Sequence, residues 1–362
     1  MDKLGISSYF KNNPVRNKLI ICFLLAALIP VLITGLISYI NYQGAITRKI
    51  SEYSLAQLTQ AVANIQLKLA EFENISVRLF INKEFNEVLA KLDSKNGREA
   101  ATAKAAVETY FNEYMISNSD LFALIFFDAR DYRQSVIVTK DYYQDFALLI
   151  KQFKKQSAYQ QIIRASGGIV WSAAIKVNRS HFVILGREIK DMSTGQSFGV
   201  LAMVIDEEKM DRLTNMTIYN QLNISFDEID HYSLIINNSG EIVSTPFKED
   251  IGKNITQIMK DTRPLQKIFR PVSDRDYGSE INQGSFLTEI NHKQTLVTFK
   301  TISSKIGVGG RSGWHLLSLA PASYLFAEVR GIGWQTALLG LLFGIVAVIT
   351  AFYLSSLIDR KE

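Results

Sequence analysis

Four histidines, one cysteine and one glycine-rich run are the residues of this chain best suited to chemistry, and their spacing argues against catalysis. His181, His231, His292 and His315 all lie more than five residues apart. A histidine pair for zinc needs its two ligands within a few residues of each other. Cys22 is the only cysteine and sits inside an apolar run. It can form no intrachain disulfide and offers no accessible thiolate nucleophile. "GVGGRSG" at 307–313 has the glycines of a phosphate loop but not the strand–loop–helix setting, and it reads as a flexible loop between strands. G-x-S-x-G, the Walker loop and G-x-G-x-x-G are absent. We expect no enzyme, no metal and no cofactor.

The remaining polar candidates would bind rather than react. Along 182–189, strand alternation puts Val183, Leu185, Arg187 and Ile189 on one face. A guanidinium among apolar neighbours needs an anionic or carbonyl partner. That partner is a ligand or a carboxylate of the chain itself, unless the strand end reaches solvent. The same alternation groups Ile169, Trp171, Ala173, Ile175 and Val177. Trp171 could stack on a sugar, form a pocket wall or fill a core. Asp128 and Arg130 follow the first strand and could contact a ligand or sit in a solvated turn.

The elements that position these residues begin with an uncharged run, Leu19 to Ile40, 22 residues long. About 20 helical residues cross the hydrocarbon core of a bilayer. Signal-peptide apolar regions are typically about 7–15 residues and end in a small-residue cleavage site. Asn41-Tyr42-Gln43 offers no such site, so we expect a permanent anchor. A second uncharged run spans Trp334 to Ile358, with Asp359-Arg360-Lys361 beyond it. Lys3, Lys11, Arg16, Lys18, Arg360 and Lys361 flank the outer ends of the two runs, which predicts cytoplasmic termini and residues 41–333 outside the cell membrane.

Between the two runs, residues 44–92 read as helix. Leu55, Leu58, Val62, Ile65, Leu69, Phe72 and Leu79 follow 3–4 spacing, with Ser76 in the missing position. This stripe packs on a sheet of its own chain or forms a dimer seam. From Leu121 the texture changes to strands rich in β-branched and aromatic residues. "LFALIFFDARDYRQSVIVTK" reads as two strands. A helix follows, with Asp141 as its N-cap. Then come "GGIVWSAAIKV", "HFVILGREI" and "FGVLAMVI". After Phe226 a similar series opens with the hairpin "HYSLIINNSGEIVST", turning at Asn238-Ser239-Gly240. It continues through "KQTLVTFKTIS" and "GWHLLSLAPASYLFAEV". Antiparallel strands with helices on one face are the α+β arrangement. The net charge of +5 is spread without a run of like charges, so no nucleic-acid partner is expected.

In order, these stretches resemble a double Cache sensor region. "FGVLAMVIDEEKM" at 198–210 resembles the last strand and exit of a distal module. "SLIINNSGEIVSTP" at 233–246, with "IGKNI" at 251–255, resembles the opening hairpin of a proximal module. "SGWHLLSLAPASYL" at 312–325 resembles its closing strand. The opening residues, from "RNKLIICFLLAALIPVLITGLISYI" onward, are similar to the anchor of YesM-type sensor histidine kinases of Gram-positive bacteria. The resemblance implies an α+β fold: two transmembrane helices flanking a long N-terminal helix and two tandem PAS-like antiparallel-sheet modules. The expected boundaries are 1–18 (cytoplasmic), 19–40 (span), 41–120 (helical stalk), 121–225 (distal module), 226–333 (proximal module), 334–358 (span) and 359–362 (cytoplasmic stub). No phosphoacceptor segment or ATP-binding motif is present. The chain is therefore expected to be the sensory part of a two-component kinase. The alternatives are the sensor of a chemotaxis receptor or transcription regulator, or a ligand-free envelope scaffold. Expected partners are a small extracellular solute or solute-binding protein, membrane lipid, and a second copy paired through the stalk and spanning helices.

The resemblance also bears on the ligand. Tyr142 and Tyr143 precede the helix that in this family covers the pocket. Amino-acid-binding relatives carry an aspartate near the middle of the distal module's last strand, where this chain has Val204. Asp206 comes two residues later and reads as a helix N-cap. Arg164, seven residues before Trp171, departs from the usual Arg-x-Trp spacing. An amino acid is therefore disfavoured, and a sugar, oligosaccharide, peptide or solute-binding protein is expected.

Overall fold

Residues Val15–Ile81 fold as one α-helix of 67 residues, α1, with Pro30 inside it. The computed structural model describes residues 15–129, 134–140, 146–191, 193–216, 231–259, 261–269, 283–303, 313–325, 334, 338–346, 348–350 and 352–353. The chain divides into two compact units, Met1–Glu52 with Ala322–Glu362, and Tyr53–Pro321.

The first unit corrects the expectation of membrane spans. Among the described residues no helix is long and apolar enough to cross a membrane. The Leu19–Ile40 run lies within α1, which continues past it through Arg48, Lys49 and Glu52. The two transmembrane helices, and with them the two-span cell-membrane topology with cytoplasmic termini, are not supported.

In the second unit, α1 lays its 3–4 stripe on its own chain. Leu58, Val62, Ile65, Leu69, Phe72 and Leu79 are buried in one cluster with residues of both sheets, and Ser76 is buried beside them. Each fully buried apolar side chain of this size contributes about 1.5–3 kcal/mol. Two shorter helices follow, α2 (Lys83–Lys91) and α3 (Gly97–Ser117). Asn82 and Asn96 cap them, accepting from the amides of Phe85 (3.0 Å) and Arg98 (3.1 Å).

The first sheet is antiparallel throughout. Its strands are β1 (Leu121–Asp128), β2 (Val136–Thr139), β3 (Ile169–Trp171), β4 (Ile175–Val177), β5 (Ser180–Lys190) and β6 (Ser197–Asp206). The order is β2-β1-β6-β5-β3, with β4 also on β5. One face takes α1. The other takes α4 (Phe146–Lys155) and α5 (Ser157–Arg164). The exit helix α6 (Glu207–Thr214) is capped by Asp206, as expected, with Glu208 N donating at 3.0 Å.

The second sheet has the order β8-β7-β11-β10-β9. It comprises β7 (Tyr232–Asn237), β8 (Ile242–Ser244), β9 (Gln283–Ile290), β10 (Lys293–Ile302) and β11 (Trp314–Pro321). Gly240 turns the β7–β8 hairpin at φ +80°, in the left-handed region that glycine tolerates. Asn237 Oδ1 braces that turn from inside, accepting from the amides of Ser239 and Glu241 at 3.0 Å each. The short helix α7 (Leu265–Ile268) packs over the face away from α1.

Candidate functional site

The first sheet has two chemically different faces. On the α4–α5 face three cross-strand rows are set by register: Ala123–Val204–Ile184, Ile125–Ala202–Gly186–Val170, and Phe127–Val200–Glu188. The first two rows hold no charge. Val204 is fully buried here among Ile125, Ile162 and Ile184. Gly186 marks the centre. A Cβ there would overlap the Ile162 side chain, so α5 lies directly on the strand. Leu149, Ile150 and Phe153 of α4 complete the cover.

The polar groups of this face gather at one end. The Lys154 ammonium stands 5.1 Å from the centre of the Phe127 ring, a cation–π distance, and burial lowers its pKa. Phe127, Phe153 and Tyr159 form an aromatic trio with centroids 5.6–6.3 Å apart. Glu188 ends the third row, buried, with Lys190 Nζ at 3.3 Å from its Oε2.

The opposite face of the sheet carries Arg187 and Trp171. Arg187 and Trp171 both face α1, and Glu73 of α1 meets them. The Trp171 indole donates to Glu73 Oε1 at 3.0 Å. The Arg187 guanidinium lies 5.1 Å from the centre of the Phe80 ring. Burial lowers its pKa, and the Glu73 charge opposes that effect. Phe72 and Trp314 pack on Trp171 at centroid distances of 6.3 and 5.3 Å. Trp171 thus touches α1 and the second sheet together.

Asp128 ends β1 on the same side as Phe126, buried, and its amide donates to Ser135 Oγ at 3.3 Å. Arg130, Tyr142 and Tyr143, with the expected cap Asp141, lie outside the described residues, as does 304–312, most of the glycine-rich run.

One grouping changes. Ile169 and Trp171 face α1, but Ile175 and Val177 face the opposite side. Trp171 pairs with Leu185 and Ile175 with Phe182, so four steps on one strand match three on the other. The extra residue is a bulge, and it reverses the alternation. Ser172 holds it: its amide donates to Ile184 O at 2.8 Å and its Oγ accepts from Ile184 N at 2.9 Å.

Sequence reasoning passed over Glu73, whose one signal was a charge beside Phe72 in the apolar stripe. It also passed over Lys248, an unremarkable lysine in a turn. Among the described residues no group of three or more histidine, cysteine, aspartate or glutamate side chains is placed to hold a metal.

Comparison with known proteins places this architecture. A Cache domain family profile matches residues 42–329. No curated protein sequence matches the chain. Among solved structures, the ligand-binding domain of Mlp24 with asparagine is 17% identical, with TM-score 0.50 over 80% of this chain and 98% of that one. The ligand-binding domain of the Pseudomonas aeruginosa PAO1 amino acid chemoreceptor PctB, with L-Arg, is 11% identical, with TM-score 0.49 over 77% of this chain and 98% of that one. The ligand-binding domain of the Pseudomonas fluorescens chemoreceptor CtaA, with L-isoleucine, is 12% identical, with TM-score 0.47 over 79% and 98%. Two tandem antiparallel sheets, a shared N-terminal helix and a profile match across most of the chain agree: this protein belongs to the Cache domain family.

Proposed function

We propose that this protein is the ligand-sensing region of a signal-transducing receptor, and that its first sheet, on the α4–α5 face, takes an uncharged solute such as a carbohydrate or a peptide segment. The observation that carries the ligand class is the floor of that face. From Ala123 to Val204 and from Ile125 to Val170 it presents no charge. An ammonium group buried over Val204 and Ala202 would lose its water and gain no partner. The solved relatives are in complex with amino acids, among them asparagine and L-Arg. We read this chain as departing from that ligand class at Val204.

The similarity of the opening residues to YesM-type sensors supports a histidine kinase as the receptor. A chemotaxis receptor is the second reading, favoured by the chemoreceptor identity of the solved relatives.

A thermal-shift panel on the full chain tests the ligand class. Mono- and oligosaccharides and blocked peptides should raise Tm in proportion to ln(1 + [L]/Kd), while free amino acids leave it unchanged. Stabilisation by amino acids alone would sink the reading.

A further inference from the structure

Where α6 meets the β7–β8 hairpin, Lys248 meets two carboxylates of α6, Glu207 and Asp211, which lie 41 and 37 residues before it in sequence. Glu207 and Asp211 of α6 are 1% and 0% exposed. Lys248, in the turn after β8, reaches both: Nζ is 2.7 Å from Glu207 Oε2 and 2.8 Å from Asp211 Oδ2. Its third donor goes to Thr245 O at 2.9 Å, so the ammonium is fully spent. Glu207 Oε1 accepts from Ser244 Oγ (2.6 Å) and Thr245 N (3.2 Å). Asp211 Oδ1 accepts from Asn215 Nδ2 at 2.6 Å. Asn215 in turn brackets the backbone of Ser233, donating to its carbonyl at 2.8 Å and accepting from its amide at 2.7 Å. His181 of β5, also buried, lies near enough to feel the Lys248 charge.

Two properties set this cluster apart from an ordinary surface ion pair. Its carboxylates are desolvated, so removing one partner leaves a buried charge uncompensated, which costs far more than losing an exposed bridge. Its position is also topological. α6 leaves directly from β6, a central strand of the first sheet, and β8 pairs with β7, which lies against β11. A displacement of β6 therefore reaches the second sheet through Lys248 without passing through α1.

We propose that the Glu207–Lys248–Asp211 cluster is a coupling joint that makes α6 and the β7–β8 hairpin open and move as one unit. Its structural part rests on this geometry alone. Its signalling consequence, transfer of a ligand-driven shift in the first module to the second, rests on the sensing reading above.

Native-state hydrogen exchange on the full chain, at increasing urea below the unfolding transition, tests the joint without any ligand. The reporters are the amide of Asn215, bonded to Asp211 O, and that of Ile242, bonded to Lys253 O, each at 2.9 Å. In the native protein both should merge into one opening isotherm, as members of a single cooperative unit do. Lys248→Met strands two buried carboxylates and could unfold the chain. The deciding variant is therefore the neutral triple Glu207→Gln/Asp211→Asn/Lys248→Met. There the two amides should open independently, with rates that differ by about tenfold or more. Independent opening in the native protein, or continued merging in the triple variant, overturns the joint. The thermal-shift panel bears only on the sensing reading, so the two can fail separately.

Discussion

The indole N–H of Trp171 and the carboxylate of Glu73 meet at 3.0 Å between the first sheet and α1, 98 residues apart in sequence. That contact ties β3 to the long helix, and the neighbouring Trp314 extends it to the second sheet. It makes a tryptophan that could have lined a ligand pocket into a junction of three elements.

Trp171→Phe keeps most of the ring and removes the donor, leaving a buried carboxylate short of a hydrogen bond. Stability should fall by about 1–3 kcal/mol, read as a lower urea midpoint with an unchanged m-value. Glu73→Gln keeps an amide oxygen that can accept from the indole, but it removes the charge that opposes the desolvation of buried Arg187 and should also destabilise.

Gly186→Ala should destabilise by about 1–3 kcal/mol through overpacking, since the new methyl overlaps Ile162. Ile162→Ala removes both overlapping carbons, Cδ1 and Cγ1, so in its background Gly186→Ala should add little further loss. Thermal unfolding of the two single variants and the pair, taken as a double-mutant cycle, reads the coupling directly.

Glu207 should give the protein an unusual pH dependence. Burial pushes its carboxyl up to about 7 from 4.5, against the pull of Lys248. Between these values the folded state holds a proton that the unfolded chain has released. The contribution is fully present below about 4.5 and is lost as pH rises towards 7. Comparing urea midpoints at several pH values with those of Glu207→Gln isolates it: the variant should lack that component of the slope.

His315 should act with the opposite sign. It is buried, with Nδ1 2.9 Å from Thr301 Oγ1 and Nε2 3.0 Å from Asn238 Oδ1, and burial lowers its pKa to about 4. The folded state resists protonation that the unfolded chain accepts near 6.5. Its contribution is present above 6.5 and is lost as pH falls towards 4. An NMR titration should show the His315 ring unprotonated at pH 5.5.

Much of the architecture was legible from local pattern. The 3–4 stripe from Leu58 to Leu79, the turn at Asn238-Ser239-Gly240 and the Asp206 cap are short-range consequences of residue type and spacing. They appear where those rules put them. The reading of Leu19–Ile40 and Trp334–Ile358 as spans is not supported: among the described residues no helix is long and apolar enough to cross a membrane.

Alternation within one strand was equally local: it placed Val183, Leu185, Arg187 and Ile189 on a single face, as β5 does. Which face that was, towards α1 or towards α4 and α5, lay beyond it, because a strand carries no mark of what covers each side. The bulge at Ser172 flipped Ile175 and Val177 for a similar reason, since register belongs to the pair of strands and not to either one. Glu73 beneath Trp171, and Lys248 between Glu207 and Asp211, were decided only by folding. Their partners lie tens of residues away, and a charge becomes informative only once the tertiary structure has taken its water away.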